Sequence, residues 1–168
     1  MNSTVTEILK NININPIAKI YFMPLLNYIT NMDVYKTLGK TQKNLVSHGV
    51  RKIMYDYDDS GHVQALCFVI DTPYGEQGVK LPANVSAIYE VLKQQKKAGK
   101  IKIKVTYEQA GKVAWRIIKD WVEAQMAILE SQMVQFDEIF LPYMLNSKGQ
   151  TFFQVYQQKQ LTAGEGDL

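Results

Sequence analysis

Three aspartates crowd into "YDYDDSG": Asp56, Asp58 and Asp59. Carboxylates so close together can hold a divalent cation through oxygen ligands. Beside Ser60 and Gly61 they also suit a turn, because aspartate bonds its own backbone there. Further along, Asp71, Glu76 and Lys80 sketch the acidic and basic set of a metal-dependent nuclease, but without a compact Glu-x-Lys unit. His48 and His62 are the only histidines, and neither has a second histidine or a cysteine at metal-ligand spacing. His48 follows a helix-like stretch, where the negative end of the dipole favours it. The sole cysteine, Cys67, stands among Leu66, Phe68 and Val69, a setting for a small core residue rather than a nucleophile. No P-loop, dinucleotide fingerprint or serine elbow is present. The expectation is therefore a protein without catalytic residues, cofactor or metal, with a nuclease using Asp56, Asp58 or Asp71 as the minor alternative.

The positive clue is basic. Lys93, Lys96, Lys97, Lys100, Lys102 and Lys104 follow one another with little acid between them. Such a series neutralises phosphates, or meets an acidic protein surface, with an affinity that falls as salt rises. It also suits a solvated helix end, whose dipole favours cations. Tyr55, Tyr57, Tyr74 and Tyr107 offer rings for base stacking, or half-buried packing in strands. The whole chain does not force the choice: 168 residues carry 19 basic and 16 acidic groups, a formal charge of +3. A single cysteine excludes an intrachain disulfide and fits a reducing cytosol. The first residues lack a basic segment followed by a long apolar one, and no run reaches bilayer length, Ile17 to Leu26 being broken by Lys19 and Pro24. A cytoplasmic protein with no membrane partner is expected.

These residues need elements to position them. Short helices are expected over Thr4 to Lys10, Pro16 to Thr30 with a kink at Pro24, and Thr37 to His48, the last closed by Gly49. The period then changes. RKIMYDYD, HVQALCFVID and EQGVKLP, separated by Asp59-Ser60-Gly61 and Thr72-Pro73-Tyr74-Gly75, read as a three-stranded antiparallel meander. Asn84 opens a helix that Gly99 closes, and the alternating Lys100 to Val105 is a short edge strand or an extended connector. Thr106 and Gln109 form a capping box that starts a long helix running to about Val134. Wound at about 100° per residue, this helix has a wide apolar arc with Trp121 in its middle, Trp115 at its edge, and Ala124 and Met133 within it. Gln125 and Gln132 intrude on that arc. The opposite narrow strip holds Lys112, Arg116, Lys119, Asp120, Glu123 and Glu130, and is expected to be solvated. Short helices at Asp137 to Leu145, bent by Pro142, and within Gly149 to Gln160 complete the chain. The fold class is α+β: N-terminal helices, the meander, and a long buried C-terminal helix with flanking helices. Residues 1–36 form a helical extension, 37–160 a single domain and 161–168 a disordered tail.

The blocks "MYDYDDSGHVQALCFVIDTPYGEQGVKLPANVSAIYEVLKQQ" and "TYEQAGKVAWRIIKDWVEAQMAILESQMVQFDEIFLPYML" resemble a family of small, largely uncharacterised proteins from phages, prophages and conjugative elements. The likeness spans about Lys40 to Leu145, through "LPANV", "EQA..VAWRI.KDW.EAQ" and "FLPY", and transfers no catalytic residue. What it implies is context. Proteins of this kind antagonise host defence, CRISPR nucleases included, or assist recombination and replication. The expected function is an anti-defence inhibitor that binds a host nuclease, its nucleic acid, or both, as a monomer or a homodimer. The alternative is a DNA-binding accessory of phage recombination or replication.

Overall fold

The computed structural model describes residues 23–163. The expected helix at Thr4 to Lys10, and most of that at Pro16 to Thr30, lie outside them. In order the elements are α1 (Val34–Ser47), β1 (Lys52–Tyr57), β2 (Val63–Thr72), β3 (Gly75–Pro82), α2 (Val85–Lys97), α3 (Tyr107–Glu130), α4 (Phe136–Phe140), a 3-10 turn (Leu141–Tyr143) and α5 (Phe152–Ala163). The fold is α+β, with the three strands antiparallel in sequence order. No helix among the described residues is long and apolar enough to cross a membrane.

Register assigns the two faces of the sheet. Tyr55, Leu66 and Leu81 align across the strands, as do Ile53, Phe68 and Val79. This face enters the core with Trp115, Val122 and Met126 of α3 and Phe140 of α4. Phe140 is the hinge of an aromatic set, its ring 5.8 Å from Phe68, 5.6 Å from Trp121 and 4.4 Å from Phe136. On the other face Met54, Cys67 and Lys80 form one row, and Lys52, Val69 and Gly78 the next. Leu145 packs on Gly78, whose missing Cβ would sit 3.4 Å from the leucine Cδ1.

Side-chain caps set most helix starts. The Asp33 carboxylate accepts from the Tyr35 and Lys36 amides, so α1 begins at Val34, ahead of the expected Thr37. Asn84 caps α2 through the Ala87 amide, and Gly99 follows with φ +70°. The end of α3 is a correction. Gln132 adopts φ +58°, which terminates a right-handed helix, so α3 stops at Glu130 and Met133 is exposed. Ala124 is exposed as well. Lys100 to Val105 is a connector rather than a strand.

Residues 23–33 are not helical, against expectation. They hold a turn in which Asn27 takes φ +62°, and the segment lies as a strap across α3. Gln95, only 1% exposed, clamps it: its amide accepts from the Leu25 N–H at 3.0 Å and donates to the Met23 carbonyl at 2.9 Å. The Gln109 amide donates to the carbonyls of Tyr28 and Thr30, both at 3.0 Å. Asn27 donates to Asp120 at 2.8 Å, and Arg116 approaches the Met32 sulfur at 3.7 Å. The polar strip expected to face water is therefore partly an internal contact. Lys119 on that strip is 6% exposed, its ammonium 2.6 Å from Glu123 and 3.4 Å from Asp120. The tryptophans also exchange roles. Trp115 is 1% exposed and donates to the Val63 carbonyl at 3.3 Å, whereas Trp121 is only partly buried.

Candidate functional site

The expected acidic centres are accounted for by local structure. Asp58 closes the β1–β2 turn, its carboxylate accepting from the Ser60 and His62 amides and from the Gln64 side chain. The bond from the His62 amide, and then that from Ser60, holds its carboxyl below the usual range. Asp56 is paired with Lys80 at 2.6 Å, and Glu76 with Lys52. Cys67 is buried. Burial, and then the Asp56 charge 3.9 Å away, push its thiol up from the ordinary value, the opposite of nucleophile activation. Among the described residues no three His, Cys, Asp or Glu are grouped to hold a metal ion.

The six lysines occupy the end of α2 and its connector to α3. Lys93 is engaged: its ammonium lies 3.0 Å from Glu90 and 5.1 Å from the centre of the Tyr89 ring. The Glu90 bond raises its pKa. Lys96 and Lys97 form the last turn of α2, and both are exposed. Beyond them, alternation decides orientation. Ile101 is buried, Ile103 and Val105 are half-buried, and Lys100, Lys102 and Lys104 are exposed. The isoleucines pin the connector to the core, so its lysines are displayed outward from a fixed backbone. The Lys100 N–H closes on the Gln95 carbonyl at 2.9 Å, which ties the connector to the helix end.

Of the four candidate tyrosines only Tyr107 belongs to this end of the molecule. Its ring lies 5.9 Å from that of Tyr89, the residue under Lys93, and 5.8 Å from His62. With Trp115, Val34 and Gly111, the Tyr107 and His62 rings line a cleft of about 280 Å³, rimmed by Asp33, Glu108 and Lys112. Tyr55 instead donates to Gln42 of α1, and Tyr57 is at the end of β1. Tyr74 lines a cleft of about 490 Å³ with His48, Asp71, Glu130 and Asp137 at the far end of α3, about 36 Å away by helix rise. There His48 bridges the Asn44 carbonyl at 2.7 Å and Glu130 at 2.8 Å. One basic feature escapes the sequence reading. Lys36, Lys40 and Lys43 are exposed on α1 and meet no carboxylate among the described residues; their i, i+4, i+7 spacing was the available signal.

No protein-family model matches the chain, and comparison with curated proteins and with solved structures finds no match. The likeness to mobile-element proteins gains no support from these comparisons, and the functional reading rests on the geometry.

Proposed function

We propose that the protein is a non-enzymatic binder of polyanions, contacting nucleic acid, an acidic surface of a host nuclease, or both through Lys93, Lys96, Lys97, Lys100, Lys102 and Lys104. In the context of the resembled family this is an anti-defence inhibitor acting in the cytoplasm of a bacterial host. One observation carries the reading: Lys96, Lys97, Lys102 and Lys104 are exposed at neighbouring positions and meet no carboxylate among the described residues. Ammonium groups that are not neutralised within the fold repel one another, and a row of phosphates relieves that repulsion. The half-buried Tyr89–Tyr107 pair beside Lys93 favours a second reading, direct contact with single-stranded DNA as an accessory of recombination or replication, since aromatic rings next to lysines suit base stacking.

Titrating the protein against labelled single- and double-stranded DNA at two salt concentrations, with magnesium present, tests both. Salt-sensitive binding without cleavage supports direct nucleic-acid contact. Absence of binding at low salt moves the target to an acidic protein surface, examined next with purified nuclease effectors. Magnesium-dependent cleavage would overturn the non-enzymatic reading.

A further inference from the structure

The sheet has two outer edges, and among the described residues only one is covered. Along β3, Met144 bridges Val79, the Leu145 N–H donates to the Gly78 carbonyl at 2.8 Å, and the Gln77 amide donates to the Leu145 carbonyl at 2.9 Å. Along β1, no backbone group of Lys52–Tyr57 bonds to anything but β2 among the described residues. The strand is short and carries Lys52 and Asp56, but it contains no proline or glycine to block pairing, and its one irregularity, at Asp56/Tyr57, falls at its end.

We infer that β1 pairs antiparallel with β1 of a second copy of this chain, about a two-fold axis at Met54, so that two three-stranded sheets become one of six strands. The register follows from side chains. A two-fold axis perpendicular to the sheet keeps both helical layers on one side only if facing residues share a face. Centred on Met54, Lys52 faces the second copy's Asp56 and Ile53 faces its Tyr55. Centred on Ile53, Lys52 would face Met54; centred on Tyr55, Met54 would face Asp56. Only the Met54 register pairs opposite charges, and it also sets an aliphatic against an aromatic ring.

The charges on the sheet surface fit the same register. Lys52 already pairs with Glu76, and Asp56 with Lys80. Joining Lys52 to the second copy's Asp56 links these pairs into a chain of alternating sign, Glu76, Lys52, Asp56, Lys80, repeated by the axis. Met54, 61% exposed in the single chain, covers itself at the centre.

The test uses the full chain. Sedimentation equilibrium is expected to show a dimer. With Cys67, which faces Met54 across β1 and β2, replaced by Ala in every cysteine variant, Met54→Cys is expected to form a disulfide-linked dimer under mild oxidation, because residues facing each other on the axis bring their Cβ atoms within bridging range. Wild type, whose only cysteine is buried, serves as the control. Chains with Lys52→Cys and with Asp56→Cys are expected to cross-link to each other and not to themselves. Lys52→Glu should shift the equilibrium to monomer with the far-ultraviolet spectrum unchanged. A monomeric wild-type chain overturns the inference. So does a dimer in which Met54→Cys stays reduced while Tyr156→Cys, on the exposed aromatic helix α5, cross-links.

Discussion

Lys119 shows how a single residue escapes a helical-wheel argument. Its position on the polar strip of α3 is correct, but the strip is roofed by the strap, and two carboxylates keep the ammonium paired in its buried place. Asp120 is the centre of that arrangement. Burial alone would raise its carboxyl, but the Asn27 amide, Arg116 and Lys119 outweigh burial and lower it from the ordinary aspartate value. A carboxyl depressed in the folded state stabilises it fully above its unfolded pKa, and that stability is lost as pH falls through the lower, folded value. The Asp120 carboxyl carbon is therefore expected to titrate below pH 3.8 in an NMR series. Asp120→Asn should lower stability at neutral pH and weaken its dependence on acid. A midpoint at or above the ordinary aspartate value would remove the carboxylate from the strap's support. Trp115 and Trp121 make a related point. Periodicity places both near the apolar arc, but which is fully enclosed depends on the Val63 carbonyl and on where Phe140 arrives, and neither is a property of the helix's own sequence.

At the scale of elements, the strands and the starts of α2 and α3 were legible because each is written locally. Alternation marks the strands, and Asn84 and Thr106 mark the caps. The strap was not legible, since its helix-like composition is overruled by a left-handed Asn27 and by amides more than sixty residues away. Gln109 separates the two kinds of signal. Thr106 caps α3, accepting from the Gln109 N–H at 3.0 Å, but the Gln109 side chain does not complete the box; it donates to Tyr28 and Thr30. In a capping box, glutamate at this position serves as well as glutamine. Here a carboxylate would face two carbonyl oxygens and leave both without a donor, so Gln109→Glu is expected to cost about 1–3 kcal/mol, measured by urea denaturation. Gln95→Leu, which strips the strap of its other clamp, should cost a similar amount, about 1–3 kcal/mol, for the unpaired buried groups it leaves. A neutral Gln109→Glu would mean that the cap, not the strap, is what this residue serves.

Across the whole molecule, charge is segregated along α3. The basic connector leads into its N-terminus, while Asp71, Glu130 and Asp137 line the cleft at its C-terminus. A polyanion is thus attracted to one end and repelled from the other, which orients it before contact. The lysine series was visible in the sequence, but its display was not, because that depends on Ile101, Ile103 and Val105 gripping the core. The second strip, Lys36, Lys40 and Lys43, provides the discriminating measurement. If DNA lies along the connector, replacing Lys96, Lys97, Lys102 and Lys104 by glutamate should abolish tight binding. Single replacements among them should each reduce the slope of log affinity against log salt by about 1, as expected for one lost phosphate contact. The same changes at Lys36, Lys40 and Lys43 should leave the slope nearly intact. Thermal midpoints should barely move in either set, since these exposed side chains form no ion pair among the described residues. A slope that responds to α1 and not to the connector would transfer the interface to α1, where the parallel packing of α1 on α3 would set the path of the bound strand instead.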